Sequence, residues 1–431
     1  MKGDLMRAGH AAGGPLGTWL ALQLPRLEYA VFAFLLALGS GALGFVDNRL
    51  YAIGSDFPTR FSTFTILSWP AMYLLLGAFM LQRPDVLRRG VAAAPWVLAF
   101  PLVAILSVAW SLDRAVTAGE AFRLAMTVLM GVYLGARLGP VALARLVTLV
   151  LGIAVGTSVL LHLANVDFAT MINGATRGVF YHKNTLGNAA VVLIAAATAL
   201  LLGRPTDPLG LAGLAAGLVA LPFADSATAI VTAGLVVVGT GALVLRSRPL
   251  VLGLWVGLFL ILLALLLGLL LATGASPVHL LFGALDKDPT LTGRSYLWET
   301  GFLQLEQRPW LGTGFAAFWT AAVDWRTLRV LDLLGQVGHF HNTLLEIGVE
   351  LGLVGIAAAL ATLGLYARHA WRHLRGTADR RAVFAWLFLL VLVVTGLTEV
   401  CGFTKHSTAT ILLVALAVGM GDELEAMRGR R

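Results

Sequence analysis

Apolar stretches of about 20 residues alternate with short polar connectors along this chain from Leu27 to Gly421. Each is long enough to cross a hydrocarbon core about 30 Å thick at about 1.5 Å of helical rise per residue. The pattern predicts an all-α polytopic integral membrane protein of about twelve spans. They fall at residues 27–46, 61–81, 91–111, 124–139, 146–163, 186–203, 209–223, 227–245, 250–272, 343–367, 382–400 and 407–421. No internal repeat, low-complexity tract or boundary of a separate soluble domain is visible, so residues 1–431 read as one integral membrane domain.

Composition agrees with the pattern. With 58% hydrophobic and 13% charged residues, a chain of 431 residues has too little polar surface to cover a soluble globule. The net charge of +8 does not point to nucleic acid, because the arginines sit between apolar runs and no long basic segment with interleaved aromatics exists. Charge instead orients the chain. With the N-terminus inside, the cytoplasmic segments hold 19 of the 31 Lys and Arg residues, and five of the remaining 12 lie in one long loop. Long loops cross largely regardless of charge, so the comparison that matters is 19 against 7, which predicts both termini in the cytoplasm. Arg83, Arg88, Arg89 and the Arg368 to Arg381 connector are the strongest anchors. The first 26 residues, with Lys2, Arg7 and Pro15, read as a cytoplasmic lead-in and not as a signal peptide. A single cysteine, Cys401, excludes an intrachain disulfide and a cysteine-cluster metal site, and it leaves the redox compartment open.

This topology leaves one large outer loop, about residues 273–341, between the ninth and tenth spans. Loops this long usually carry function. The apolar spacing of Tyr296, Leu297, Phe302, Leu303 and Leu305 predicts amphipathic helices inside it, lying near the membrane surface. A shorter outer segment runs from Ala164 to Thr185.

Four polar clusters fall on this outer side. The first, Arg177-Gly-Val-Phe-Tyr-His182-Lys183-Asn184, reads either as an interfacial anchor or as an anion clamp. The clamp reading rests on Arg177 offering phosphate oxygens a planar fork and Lys183 adding a point charge. The second, Gly293-Arg294-Ser-Tyr-Leu-Trp298-Glu299 followed by Pro309-Trp-Leu-Gly312-Thr-Gly314, spaces Arg294 and Trp298 four apart, so a cation over an aromatic ring would explain the pair structurally. Its Gly-x-Gly is too short for a nucleotide loop.

The third cluster is Gly338-His339-Phe-His341-Asn342-Thr-Leu-Leu-Glu346, continuing to Glu350, Gly352 and Gly355. Two histidines stand where a long polar loop re-enters an apolar helix, with Asn342 or Thr343 available as its cap. A helix N-terminus favours neutral imidazole, the form a general base needs. Glu346 and Glu350 would be costly against lipid and should face the bundle interior. His339 and His341 lack a convincing third ligand, so no metal is predicted. The fourth cluster, Glu399 to His406, reads equally well as a short anchoring turn and is given little weight.

In order along residues 177 to 355, Arg177-Gly-x-Phe-x-His-Lys-Asn184-x-Leu-Gly, Ser226, Gly293-Arg294-x-x-x-Trp298, Pro309-Trp-Leu-Gly-x-Gly314 with Phe318, and His341-Asn342-x-x-Leu345-x-x-x-x-Glu350-x-Gly352-x-x-Gly355 resemble the O-antigen ligase and polymerase superfamily. The twelve-span layout and the His-Lys-Asn form look most like lipopolysaccharide O-antigen ligases. The resemblance implies a glycosyltransferase C-like fold in the bacterial inner membrane, with the outer loop and active site in the periplasm. It further implies transfer of a glycan from an undecaprenyl-diphosphate carrier to a sugar hydroxyl of lipid A-core, with no cofactor, metal or nucleotide sugar. His341 is the expected base, with His339 beside it. Arg177, Arg294 and Lys183 are the expected diphosphate binders, and His182, Asn184, Trp298, Asn342, Glu346 and Glu350 are the supporting residues. O-antigen polymerase and protein O-oligosaccharyltransferase share the donor and differ in the acceptor. A transporter would instead place its charges near the midplane on broken helices within repeats. Arg49, Arg60, Arg114 and Arg123 remain unassigned.

Overall fold

A computed structural model describes residues 15–48, 63–245, 294–321 and 338–429. The expected ninth span at 250–272 and most of the 273–341 loop lie outside the described residues. Thirteen helices position the site. In chain order they are α1 (Pro15–Gly39), α2 (Thr63–Gln82), α3 (Pro84–Ala93), α4 (Ala99–Leu106), α5 (Arg114–Arg137), α6 (Pro140–Leu163), α7 (Lys183–Gly203), α8 (Pro208–Ala224), α9 (Ala227–Leu245), α10 (Arg294–Gln307), α11 (Thr343–Gly376), α12 (Val383–Gly396) and α13 (Thr408–Arg428). Among the described residues the structure is helical, with one isolated bridge between Thr170 and Thr176 and no strand. Among the described residues five helices, α5, α6, α7, α9 and α11, are long and apolar enough to cross a membrane. A sixth crossing results if Pro84–Ala93 and Pro95–Ala109, bent by 95°, form one span. α2 and α8 contribute shorter apolar segments. The apolar helices thus indicate a multi-pass membrane protein.

The span expected at 91–111 is not one straight helix. Amphipathic α3, with Val86, Gly90 and Ala93 buried, turns at Ala94 into a second segment whose first residue is Pro95. Proline is tolerated in a first helical turn, where its missing N–H is not needed. Helix ends elsewhere follow the cap chemistry, with Asp113, Asp207, Asn342 and Ser407 each accepting a bond from a backbone N–H in the first turn. Small residues let α5 and α13 approach closely, a Cβ on Gly135 coming within 2.4 Å of the Ala415 carbonyl oxygen.

α11 breaks at Gly352, whose φ of 62° and ψ of −160° interrupt the helical hydrogen-bond ladder. The orphaned backbone groups are satisfied by residues 309–314. Leu353 and Val354 donate to the Pro309 and Trp310 carbonyls at 2.7 and 3.2 Å, and the Val349 and Glu350 carbonyls accept from Thr313 and Gly314 at 3.0 and 2.8 Å. Buried backbone groups left without partners are costly, so the inserted turn is what permits the break. The fit excludes side chains, because a Cβ on Gly352 would lie 2.3 Å from the Trp310 carbonyl carbon and one on Gly312 would lie 2.4 Å from that of Glu350. The same turn is tied to the N-terminal end of α5 through Trp110 Nε1 to the Leu311 carbonyl at 2.8 Å and Leu112 N to the Thr313 carbonyl at 2.9 Å. This is the structural role of the Pro-Trp-Leu-Gly-x-Gly segment.

Candidate active site

Asn342 caps α11, its Oδ1 accepting from Leu345 N at 3.0 Å, and so fixes where the histidine loop meets the helix. Glu346, one turn in and buried, turns back onto that loop. Its two oxygens accept from Phe340 N at 2.7 Å and Trp319 Nε1 at 2.8 Å. Glu350 is also buried, and its carboxylate accepts from the Ala316 backbone. His341 is held at a φ of 51°, a left-handed conformation that non-glycine residues adopt only when their surroundings impose it.

The side chains converge on Glu399, the residue the sequence reading discounted. His341 Nδ1 lies 3.0 Å from Glu399 Oε2, while Arg294 Nη2 and Asn184 Nδ2 donate to Oε1 at 2.8 and 2.9 Å. Arg294 also donates through Nη1 to the Thr398 carbonyl at 2.6 Å. Three of the four polar clusters therefore meet the fourth at one carboxylate, which is 14% exposed. Burial alone would raise the Glu399 pKa, but the hydrogen bond from His341 and the Arg294 charge hold it below the usual carboxylate value.

The two histidines are not equivalent. A carboxylate only accepts, so in neutral His341 the proton sits on Nδ1 and the lone pair on Nε2. His341 is 25% exposed, open enough for a substrate to approach. The His339 ring packs edge-on against it with centroids 4.0 Å apart, and its Nδ1 accepts from His341 N at 3.2 Å. The proton of neutral His339 is therefore on Nε2, a donor. Burial, with His341, Arg294 and His182 adding to it against Glu399, lowers the His339 pKa to about 4.

The remaining expected residues take other positions. Trp298 does not sit under Arg294; its Nε1 donates to the Phe340 carbonyl at 2.9 Å, bracing the histidine loop from α10. His182 caps α7, accepting from Asn184 N at 3.2 Å. Lys183 pairs with Asp225 at 2.6 Å. Arg177 is 5% exposed, and its Nε donates to the Phe168 carbonyl at 2.8 Å.

Glu399 also corrects the statement that no third metal ligand is at hand, since His339, His341 and Glu399 each offer a ligand atom within 4.8 Å of the others. A divalent ion fits poorly there all the same. The carboxylate already accepts from Arg294, Asn184 and His341, and a cation would have to displace the Nδ1 proton beside a guanidinium.

Two comparisons bear on identity. Over 87 residues the chain is 39% identical to the exopolysaccharide production protein ExoQ of Rhizobium meliloti (strain 1021), a match that covers 19% of this chain and 20% of that protein. The chain thus matches about a fifth of that relative's length. The family model described as O-antigen ligase matches residues 212–360, a stretch that holds Arg294, both histidines, Asn342, Glu346 and Glu350 and stops short of Glu399. The chain is therefore similar to the O-antigen ligase family over residues 212–360.

Proposed function

We propose that this protein is a metal-independent inverting glycosyltransferase of the bacterial inner membrane, an O-antigen ligase that moves an undecaprenyl-diphosphate-linked glycan to a sugar hydroxyl of lipid A-core at the periplasmic face. The observation that carries the reading is the His341–Glu399 pair, a fixed tautomer whose lone-pair nitrogen stands at a helix N-terminus beside Arg294. In the reaction, Nε2 of His341 takes the acceptor hydroxyl proton as that oxygen attacks the anomeric carbon. The bond from that carbon to the diphosphate oxygen breaks, and its electron pair leaves with undecaprenyl diphosphate. Glu399 orients His341 and stabilises the imidazolium that forms. His339, with a donor Nε2, positions the acceptor.

Arg294, Arg177 and Lys183 are proposed to receive the diphosphate. Arg294 is shared with Glu399, and Lys183 would exchange Asp225 for phosphate. The charge developing on the leaving oxygens is what such cations stabilise. Both termini are placed in the cytoplasm and residues 273–341 in the periplasm, by the Lys and Arg asymmetry.

A polymerase acting on the same donor is the second reading, favoured by the likeness to a protein named for exopolysaccharide production. The test is purified protein incubated with undecaprenyl-diphosphate glycan and, separately, lipid A-core, a second lipid-linked glycan and a protein acceptor. Glycosylated lipid A-core is the expected product, and product only from the second lipid-linked glycan would make the protein a polymerase.

A further inference from the structure

The 397–407 connector presents a second polar cluster, made with α2 and α5, that the proposed chemistry does not use. Glu120 on α5 is 12% exposed and pairs with two cations, Lys405 through Oε2 and Arg123 through Oε1, the latter at 2.5 Å. Both cations are far more open than the acid between them, Arg123 at 47% and Lys405 at 38%.

His406 adds no charge. Its ring stacks on Trp69 with centroids 3.9 Å apart and 5° between planes, and it hydrogen-bonds the Tyr73 hydroxyl. Burial, with Lys405 and Arg123 adding to it, lowers its pKa to about 3. Its backbone N donates to Thr127 Oγ1 at 3.0 Å, which pins the connector to α5.

One acid therefore faces two bases, leaving a net positive charge at an exposed position on an apolar helix where Phe122 is 56% exposed. An excess of basic over acidic charge beside an apolar surface attracts anionic lipid head groups. Both head groups reach one carboxylate, so they are close enough for one phosphate to bridge them on the open side. Arg123 spends Nη1 on Glu120, which leaves the rest of its fork for such an anion.

We propose that Arg123 and Lys405 form a phosphate site for a membrane lipid, separate from the Arg294–Glu399–His341 cluster. The lipid is recognised by a phosphate bearing net negative charge. The site does not depend on the transfer reading. If that reading holds, a reaction between two lipids needs a second lipid held beside the donor, and one connector joins the two sites.

The test measures lipid binding, not turnover. Full-length protein in detergent is titrated with phosphatidic acid, phosphatidylcholine or inorganic phosphate, and bound molecules are counted by native mass spectrometry. Phosphatidic acid should bind in preference to phosphatidylcholine, and millimolar inorganic phosphate should not displace it. Arg123→Ala with Lys405→Ala should weaken phosphatidic acid binding at least tenfold, whereas His341→Ala should leave it unchanged. Glu120→Gln removes the competing internal acid and should tighten binding; a purely structural triad would instead lose stability with no gain in binding. If the double variant does not fold, Arg123→Gln alone is read the same way. Unchanged phosphatidic acid binding in a folded Arg123 or Lys405 variant, or displacement by inorganic phosphate alone, overturns the proposal.

Discussion

Glu399 Oε2 stands 3.0 Å from His341 Nδ1, and the other oxygen of the same carboxylate holds Arg294 at 2.8 Å. One acid thereby sets the tautomer of the proposed base and the place of a proposed phosphate ligand. Glu399→Gln puts an amide N–H where one of those donors points. We expect it to lower the transfer rate by about 10²- to 10⁴-fold, comparable to losing a general base, with donor binding falling less. Single-turnover rates and donor titrations on the purified variant check this; a near-normal rate would remove Glu399 from the mechanism.

The histidines should separate in the same assay. His341→Ala is expected to lose about 10²- to 10⁴-fold in rate while still binding the lipid-linked donor, and His339→Ala to lose less. The reverse order would move the base to His339.

Stability should depend on acid pH through the same cluster. His339 titrates at about 4 in the fold, below the ordinary histidine value of about 6.5, so between those values the unfolded chain binds more protons. Its contribution to stability therefore falls as pH drops from about 6.5 toward 4. Glu399 is shifted down, so its contribution is present above the ordinary carboxylate value and is lost as pH falls through its folded value. Thermal unfolding of wild type and His339→Gln across pH 4 to 7 measures the first effect. The variant should show a shallower decline, and parallel curves would contradict the assignment.

Gly352→Ala should destabilise by about 1 to 3 kcal/mol or more, since alanine pays for a positive φ and its Cβ would press on the Trp310 carbonyl carbon. Gly119→Ala is the control: nothing lies within 4 Å of a Cβ there, and alanine is the better helix former. Detergent melting curves of the two variants should differ in sign or at least in size.

Saturating chelator should leave transfer intact, because Glu399 is already engaged by three donors. Reversible loss of activity, restored by one divalent cation, would instead assign His339, His341 and Glu399 as its ligands.

Much of this was legible along the chain. Apolar run lengths located α7, α8 and α9 to within a few residues and the start of α11, because burial in lipid or in a bundle imposes one continuous requirement on each segment. The helix start read as capped by Asn342 or Thr343 because capping is local chemistry between neighbouring residues, and Asn342 is the one that does it. Glu399 did not read as a centre, since a short turn between two spans looks the same whether it anchors or organises. Its meaning comes from partners 58, 105 and 215 positions away. The break at Gly352 was equally hidden. A glycine in an apolar helix pattern carries no sign of another segment supplying its hydrogen bonds, and the turn at 309–314 that does so lies about 40 residues earlier, in a loop whose path helical periodicity does not specify. Periodicity reports which face of one helix is buried. Which connectors meet above the bundle depends on how helices of unequal length stack, and that is a property of the packed structure.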